Sequence, residues 1–468
     1  MNLTQKLLAS ILVPVVFLLP TAAQHRTRAT FIRGATVIDG TGKSPQVNVN
    51  ILIDGGRIQA IGPDVKAPDG AESIDAVGKF VIPGLLDARV QIGPTPGNGV
   101  FRGEISIEQR LQSLRALLAA GVTTVRLVQG DLDEQLLYQR WQKEALLVGP
   151  KVIIGGPTFT APGGIPTREY SVASQSVKRR ETREVRNEDD ARDMARELAH
   201  SGGQVFEIVY DAGPEGDPSP GLGEPAIQIV TQEAHGHDLK VFFEVGRDKE
   251  AVTAESMAVD SIEGVWEEAL SAEALVGMKS KSIFFIPALT EQGDLLNLLD
   301  EESLQEYLKD PIVQQSLSNT MKESLAHEGG LLGTVRKGIQ DNAAVRSLLE
   351  QQRARAYENV KRAQAAGVEL AVGTGSGTML VFPGAAVHRE LQLLVKAGLS
   401  PMEAIQSATR NTAQSLGVGN VVGTLESGKQ ADLIVLRADP LADIRNTEKI
   451  EVVMQEGRVV KREDLVVR

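Results

Sequence analysis

Strand-like and helix-like runs alternate through the middle of this chain, and that alternation restricts the fold more than any other feature. β-branched runs at Val81-Ile82, Thr123–Val125, Lys151–Ile154, Val205–Val209, Lys240–Phe243, Ser282–Ile286 and Glu369–Val372 read as strands. Between many of them apolar residues recur at helical spacing, as in Ile107–Ala120, Asp189–His200 and Ala343–Ala366. A strand followed by a helix, repeated, builds a parallel sheet, because a parallel partner needs a long crossover. With this many units a closed (β/α)8 barrel fits the pattern better than an open sheet. The barrel is expected over 81–420, with Thr290–Arg346 as helical decoration broken at Gly329-Gly330.

The two ends read differently. Phe31–Arg33, Ala35–Ile38, Asn50–Ile53 and Ile58–Ile61 are extended, and Asp54-Gly55-Gly56 marks a hairpin turn. Asp432–Leu436 and Lys449–Met454 repeat the pattern before a turn at Glu456-Gly457-Arg458. Neither end has enough strands to bury a sheet face alone. The expectation is a small composite β-sandwich domain from 30–80 and 421–468. Ahead of it, Lys6, the apolar run Leu7–Leu19 and Thr21-Ala22-Ala23 have the order of a cleaved export signal covering 1–23, which implies a periplasmic or extracellular protein. A membrane anchor is the competing reading, but the run is shorter than the roughly 20 residues a span needs.

Composition removes several kinds of chemistry. The chain has no cysteine, so disulfides, thiol nucleophiles and zinc–thiolate sites are excluded. A net charge of −12 argues against a broad nucleic-acid surface.

Several motifs carry a resemblance. Gly34–Gly40, Val81-Ile82-Pro83-Gly84-Leu85-Leu86-Asp87-Ala88, Gly121–Arg126, Val259–Glu263 and Ala366–Thr374 are similar to strands of the amidohydrolase superfamily. Ala397–Ile405, continuing through Ala408–Asn411, and Gly423–Leu433 resemble its imidazolonepropionase-like and prolidase-like branch. The resemblance runs from about Arg33 to the C-terminus. It implies a (β/α)8 barrel holding zinc or another divalent metal at the C-terminal strand ends, where a metal-activated water attacks an amide or related carbon.

The ligand positions that the resemblance points to are altered. Where the family has His-x-His, this chain has Arg89-Val90-Gln91. Arginine stays protonated and has no lone pair to offer a cation. Glu207 stands at the bridging lysine, Glu244 at the next histidine, Gly264 at the following one and Gly375 at the aspartate. The motifs around each position are intact while the ligand inside each is changed. No cofactor is therefore expected, and no catalytic residue can be named. By the same resemblance Arg89, Glu207 and Glu244 should converge, with the guanidinium replacing the metal as positive centre and Gln91 adding neutral hydrogen bonds.

The remaining candidates are weaker. His235-Gly236-His237 has ligand-like spacing but precedes a strand, which places it at the rim opposite the reactive face. His388 reads as a packing residue, and His25, His200 and His327 as isolated surface residues. Gly155-Gly156 and Gly163-Gly164 lack a phosphate-loop context, and Gly373–Gly377 reads as a tight turn. Ser376 has no identifiable base. Two functions stay open. One is a pseudoenzyme that keeps the scaffold to bind a small molecule in the barrel mouth, or to pair with itself or an active paralogue. The other is a hydrolase of carbon–nitrogen bonds, in cyclic amides or proline dipeptides, with a reduced or displaced metal site. A metal-free acid–base hydrolase using Glu207 and Glu244 is a third option.

Overall fold

A computed structural model describes residues 28–92, 106–167, 175–210, 219–293, 296, 301–317, 337–378 and 380–465. The segment 1–23 and the Gly329-Gly330 break lie outside them.

Seven of the barrel strands are regular: β6 (Leu85–Val90), β7 (Val122–Leu127), β8 (Lys151–Ile154), β11 (Val205–Val209), β12 (Lys240–Val245), β13 (Ser261–Gly264) and β14 (Phe284–Ile286). They pair in parallel as β6-β7-β8 and β11-β12-β13-β14, and β11 also pairs with a short strand, β9 (Thr158–Thr160), whose other neighbour is β10 (Thr182–Glu184). The Gln204 amide bonds the Ile154 carbonyl and links the two groups. The eighth position is an irregular segment, 369–376, not the regular strand expected from Glu369–Val372. It bridges β14 through Phe285 and Leu370, and β6 through Val90 and Ser376, so the ring closes. Its regularity ends where the side chains of Asp87, Thr374 and Ser376 take over the hydrogen bonds.

Side-chain alternation sorts residues between two cores. Phe206, Ile208, Val241, Phe243 and Ile262 face the surrounding helices in the largest apolar cluster. Leu86, Ala88, Ile153, Val205, Phe242, Ile286 and Ala371 fill the barrel interior. One residue pair further along the strands, the inward positions become Arg126, Glu207, Glu244 and Glu263. The charged layer therefore sits toward the C-terminal strand ends, on an apolar plug.

The termini share one eight-stranded sheet. β1 (Thr30–Val37), β2 (Gln46–Asp54), β3 (Arg57–Gly62), β4 (Glu72–Asp75) and β5 (Phe80–Pro83) come from one end. β15 (Leu433–Leu436), β16 (Ile450–Gln455) and β17 (Arg458–Val460) come from the other, in the order β17-β16-β15-β5-β1-β2-β3 with β4 on β1. The Gly55-Gly56 turn has φ of 58° and 78°, the left-handed pair that a two-residue hairpin requires. Among the described residues no helix is long and apolar enough to cross a membrane.

Candidate functional site

Arg89 reaches the barrel mouth because β6 breaks its own alternation. Leu86 and Ala88 point into the barrel, so strict period-two order would send Val90 inward and Arg89 outward. A register shift between Asp87 and Val90 against β7 reverses this. Val90 then joins the outer core. The Arg89 amide donates to Asp87 Oδ1, and its carbonyl accepts from the Gly375 amide.

The guanidinium of Arg89 is surrounded by carboxylates. Nη2 donates to Glu244 Oε1 at 2.8 Å and Nη1 to Glu244 Oε2 at 2.9 Å, a two-pronged pair. Nη1 also donates to Glu263 Oε2 at 2.8 Å, and Nε to Glu291 Oε2 at 3.2 Å. Glu207 Oε1 stands 3.7 Å from Nη1, an ion-pair distance without a hydrogen bond. The side chains of Arg89, Glu207 and Glu263 are all but sealed from solvent, at 3%, 1% and 1% exposed.

A second cation completes the layer. Arg126 Nη2 donates to Glu263 Oε1 at 2.6 Å, and its Nε to the Ala88 carbonyl at 2.5 Å. Its guanidinium carbon lies 4.0 Å over the Phe242 ring. Glu244 and Glu263 are direct partners in the β12–β13 register, so two like charges stand side by side. The two arginines make that pairing tolerable.

The carboxylates still outnumber the arginines, four to two, and burial raises the cost of charge. Desolvation pushes the Glu207 carboxyl up to about 7 against the pull of Arg126. It raises Glu291 too, against the pull of Arg89. Burial opposes the charge on Arg89, yet Glu244, Glu291 and Glu263 together hold its pKa well above the ordinary value. Thr158 Oγ1 donates to Glu207 Oε2 at 2.6 Å, while Glu207 Oε1 and Arg126 Nη1 are buried without a hydrogen bond.

Around this layer a polar scaffold fixes the irregular eighth segment. Asp87 accepts from the amide and hydroxyl of Thr374, at 3.0 and 2.6 Å, and burial lifts its carboxyl to about 6. Glu390, fully buried and lifted by burial to about 7, accepts from the amides of Leu289 and Thr290. It thereby holds the first turn of the helix Leu289–Gly293 that delivers Glu291. Ser376 bonds Thr374 and lies 3.4 Å from Asp87, with no exposure to solvent.

The expected convergence of Arg89, Glu207 and Glu244 is present, but Gln91 is not part of it. Gln91 lies just beyond the end of β6, and its Nε2 donates to Gln129 Oε1 at 2.8 Å instead. Gly264 and Gly375 are adapted to being glycine. Gly264 has φ of 94°, and a Cβ there would lie 2.5 Å from the Val245 carbonyl oxygen. Gly375 has φ of 71°, and a Cβ there would meet Glu291 Oε2 at 2.7 Å. Glu291 thus uses the room a side chain at 375 would need. Sequence reading missed Glu263, Arg126 and Glu291. The inward parity of β7 and β13 could have flagged the first two, whereas the short helix of Glu291 carries no motif.

The histidines lie elsewhere. His235 and His237 end the helix Glu224–Gly236 at the opposite rim, where His235 bonds Asp260 and His237 meets the ring of His200 edge-on. His388 is buried between the Ala120 carbonyl and Thr447, and burial pulls its pKa down to about 4. His25 and His327 lie outside the described residues.

The donor set does not suit a resident divalent metal. Oxygens of Glu207, Glu244 and Glu263 can be chosen within 4.8 Å of one another, which is compact enough for a hard cation. However, a fixed positive charge already lies among them. Both oxygens of Glu244 and one of Glu263 accept from Arg89, and the other Glu263 oxygen accepts from Arg126.

Comparison with known proteins agrees with the architecture. A family model described as "Amidohydrolase family" matches residues 80–460. Over 109 residues the chain is 35% identical to ochratoxinase of Aspergillus niger, a stretch that is 23% of this chain and 21% of that one. A crystal structure of a Xaa-Pro dipeptidase with bound methionine superposes with a TM-score of 0.73 at 23% identity, over 92% of this chain and 99% of the other. The crystal structure of A. niger ochratoxinase gives 0.72 at 19% identity, over 92% and 95%. At such identities the superpositions show a shared fold.

Proposed function

The chain belongs to the amidohydrolase family, and from that premise we propose that it is a non-hydrolytic member, a pseudoenzyme that uses the barrel as a binding or partner scaffold. One observation carries this reading. A buried guanidinium is bonded to Glu244, Glu263 and Glu291 where the family resemblance places the metal. A hydrolase of this kind needs an electron-poor centre with an open position for water. Arg89 supplies the charge but no open position, since it cannot coordinate an oxygen. The scaffold can outlive the chemistry. The remaining functions are a small molecule held above the charged layer, a homo-oligomer, or an assembly with an active paralogue. The reading includes export, supported by the order of basic, apolar and small residues in 1–23.

A second reading has one observation in its favour. Glu207 keeps a buried oxygen with no hydrogen bond, beside the carboxylates of Glu244 and Glu263. If Arg89 withdrew, those groups could take a cation, and carbon–nitrogen bond hydrolysis would return.

The test is elemental analysis of the purified mature protein, together with assays on proline dipeptides and cyclic amides with and without added zinc or manganese. The pseudoenzyme reading expects less than stoichiometric metal and no turnover in either condition. One tightly held metal per chain, or metal-dependent turnover, would replace it with the second reading.

A further inference from the structure

The carboxylate ring is matched to the shape of its occupant as well as to its charge. Glu244 presents its two oxygens to the two terminal nitrogens of Arg89, at 2.8 and 2.9 Å. Glu263 takes a further N–H from Nη1, and Glu291, arriving from a helix, takes Nε. Four of the five N–H bonds a guanidinium carries are thus received by three side chains from separate elements. Such a fork suits a planar cation, whose parallel N–H bonds match the two oxygens of Glu244; a compact ammonium lacks that parallel pair, and a divalent metal, which one carboxylate can chelate, needs its oxygens drawn in to coordination distance. The stem is accommodated as well, because residue 373 is glycine and a Cβ there would press within 2.8 Å of Arg89 Cβ. The neighbouring Arg126 shares Glu263 and Glu207 with Arg89 but has anchors of its own in the Ala88 carbonyl and the Phe242 ring. Glu207 Oε1, buried and without a hydrogen-bond partner, faces both guanidinium groups at 3.6 and 3.7 Å.

Resting on the reading of the mouth as a metal-free centre, we infer that this ring is a guanidinium-binding site which the chain fills with its own side chain. Emptied of Arg89, it takes an alkylguanidinium from solution in preference to an ammonium or a divalent metal.

The experiment is chemical rescue of Arg89→Ala. This variant keeps Cβ and lacks the two remaining methylenes and the guanidinium, which ethylguanidinium replaces group for group. Thermal melting is followed for the parent and the variant with ethylguanidinium, ethylammonium, manganese or zinc, each titrated to about 10 mM, where a ligand specific for the native state raises the melting temperature by mass action. The variant should melt well below the parent. Ethylguanidinium should restore much of the loss in a saturable manner, ethylammonium and the metals should restore little, and the parent should respond to none. Arg89→Ala/Glu244→Leu should lose the rescue. If the variant does not fold unaided, refolding yield with and without ethylguanidinium gives the same readout. Equal recovery with ethylammonium, better recovery with a metal, or none with any cation overturns the inference. These outcomes are separable from the functional reading, which stands or falls on metal content and turnover of the parent protein.

Discussion

Arg89 shows how much one residue can reorganise. Breaking a buried ion cluster from one side leaves uncompensated charges, and such losses are typically about 3–5 kcal/mol. Arg89→Met should therefore destabilise the fold by about that amount, read as a lower urea midpoint with an unchanged slope. The triple variant Arg89→Met/Glu244→Leu/Glu291→Leu should cost much less, because it removes the cation together with the two carboxylates that bond it alone and leaves Glu263 to Arg126. A parental midpoint for the single variant would mean the ring is hydrated and loosely held. The sequence displayed this residue clearly, since Arg89 stands inside an otherwise intact motif. It displayed Gln91 equally clearly and misled. The two residues are separated by one position, but the register shift after Asp87 turns Arg89 into the ring, whereas Gln91 lies beyond the end of β6 and bonds Gln129. A one-residue shift in a strand reverses the faces, and no pattern at Arg89-Val90-Gln91 announces it.

At the level of elements, two positions where the family resemblance expects ligands are backbone features. β13 ends at Gly264 and the eighth segment turns at Gly375, both with positive φ, a region where a side chain is strained. Placing a histidine at 264 would set a Cβ against the Val245 carbonyl and the Trp266 ring. Gly264→His is expected to lose roughly 2 kcal/mol or more from strain and contact together, measured as a fall in melting temperature, and to bind no zinc. Gly375→Asp should be harmful by a different route. Its Cβ would meet the Glu291 carboxylate, so Glu291→Ala should recover part of the loss in the double variant. If the two substitutions are additive, Glu291 does not occupy that room. The strand and helix order was legible because apolar periodicity marks it, and the composite sheet because its turns are explicit. The composition of the charged layer was less so. Glu263 lay inside a motif already read as scaffold, and Arg126 followed Thr123-Thr124-Val125 as an ordinary strand residue. The helix that brings Glu291 is only five residues long and is held by Glu390, a hundred positions away. Such long-range anchoring leaves no local trace.

Across the whole molecule, buried carboxyls set the response to pH, and the shared sheet sets the response to truncation. Burial raises Glu207, Glu390 and Asp432 to about 7 and Asp87 to about 6. A group whose folded pKa lies above its unfolded value binds its proton more tightly when folded. Its stabilisation is complete below the unfolded pKa and is lost as pH rises through the folded one. His388, lowered to about 4, acts in the opposite direction between about 4 and 6.5 but is a single group. Melting temperature should therefore be higher near pH 5.5 than near pH 7.5, and Glu207→Gln should narrow that difference; a flat profile would mean these carboxyls stay ionised in the fold. The truncation follows from β15, whose four residues are buried on both faces. Leu433 and Val435 join the β-domain core with Ile32, Val37, Ile51 and Val81. Ile434 and Leu436 join the barrel core. In the sheet β15 lies between β16 and β5, pairing Leu433–Leu436 with Phe80–Pro83, and the Asp432 carbonyl accepts from the Gly84 amide at the start of the first barrel strand. Ending the chain before Gly423 would strip one face from each core and leave β5 as an open edge, which invites association. The truncated protein should be insoluble, or compact without a cooperative melting transition. A soluble fragment melting as sharply and at the same temperature as the parent would show that the barrel does not depend on the C-terminal strands.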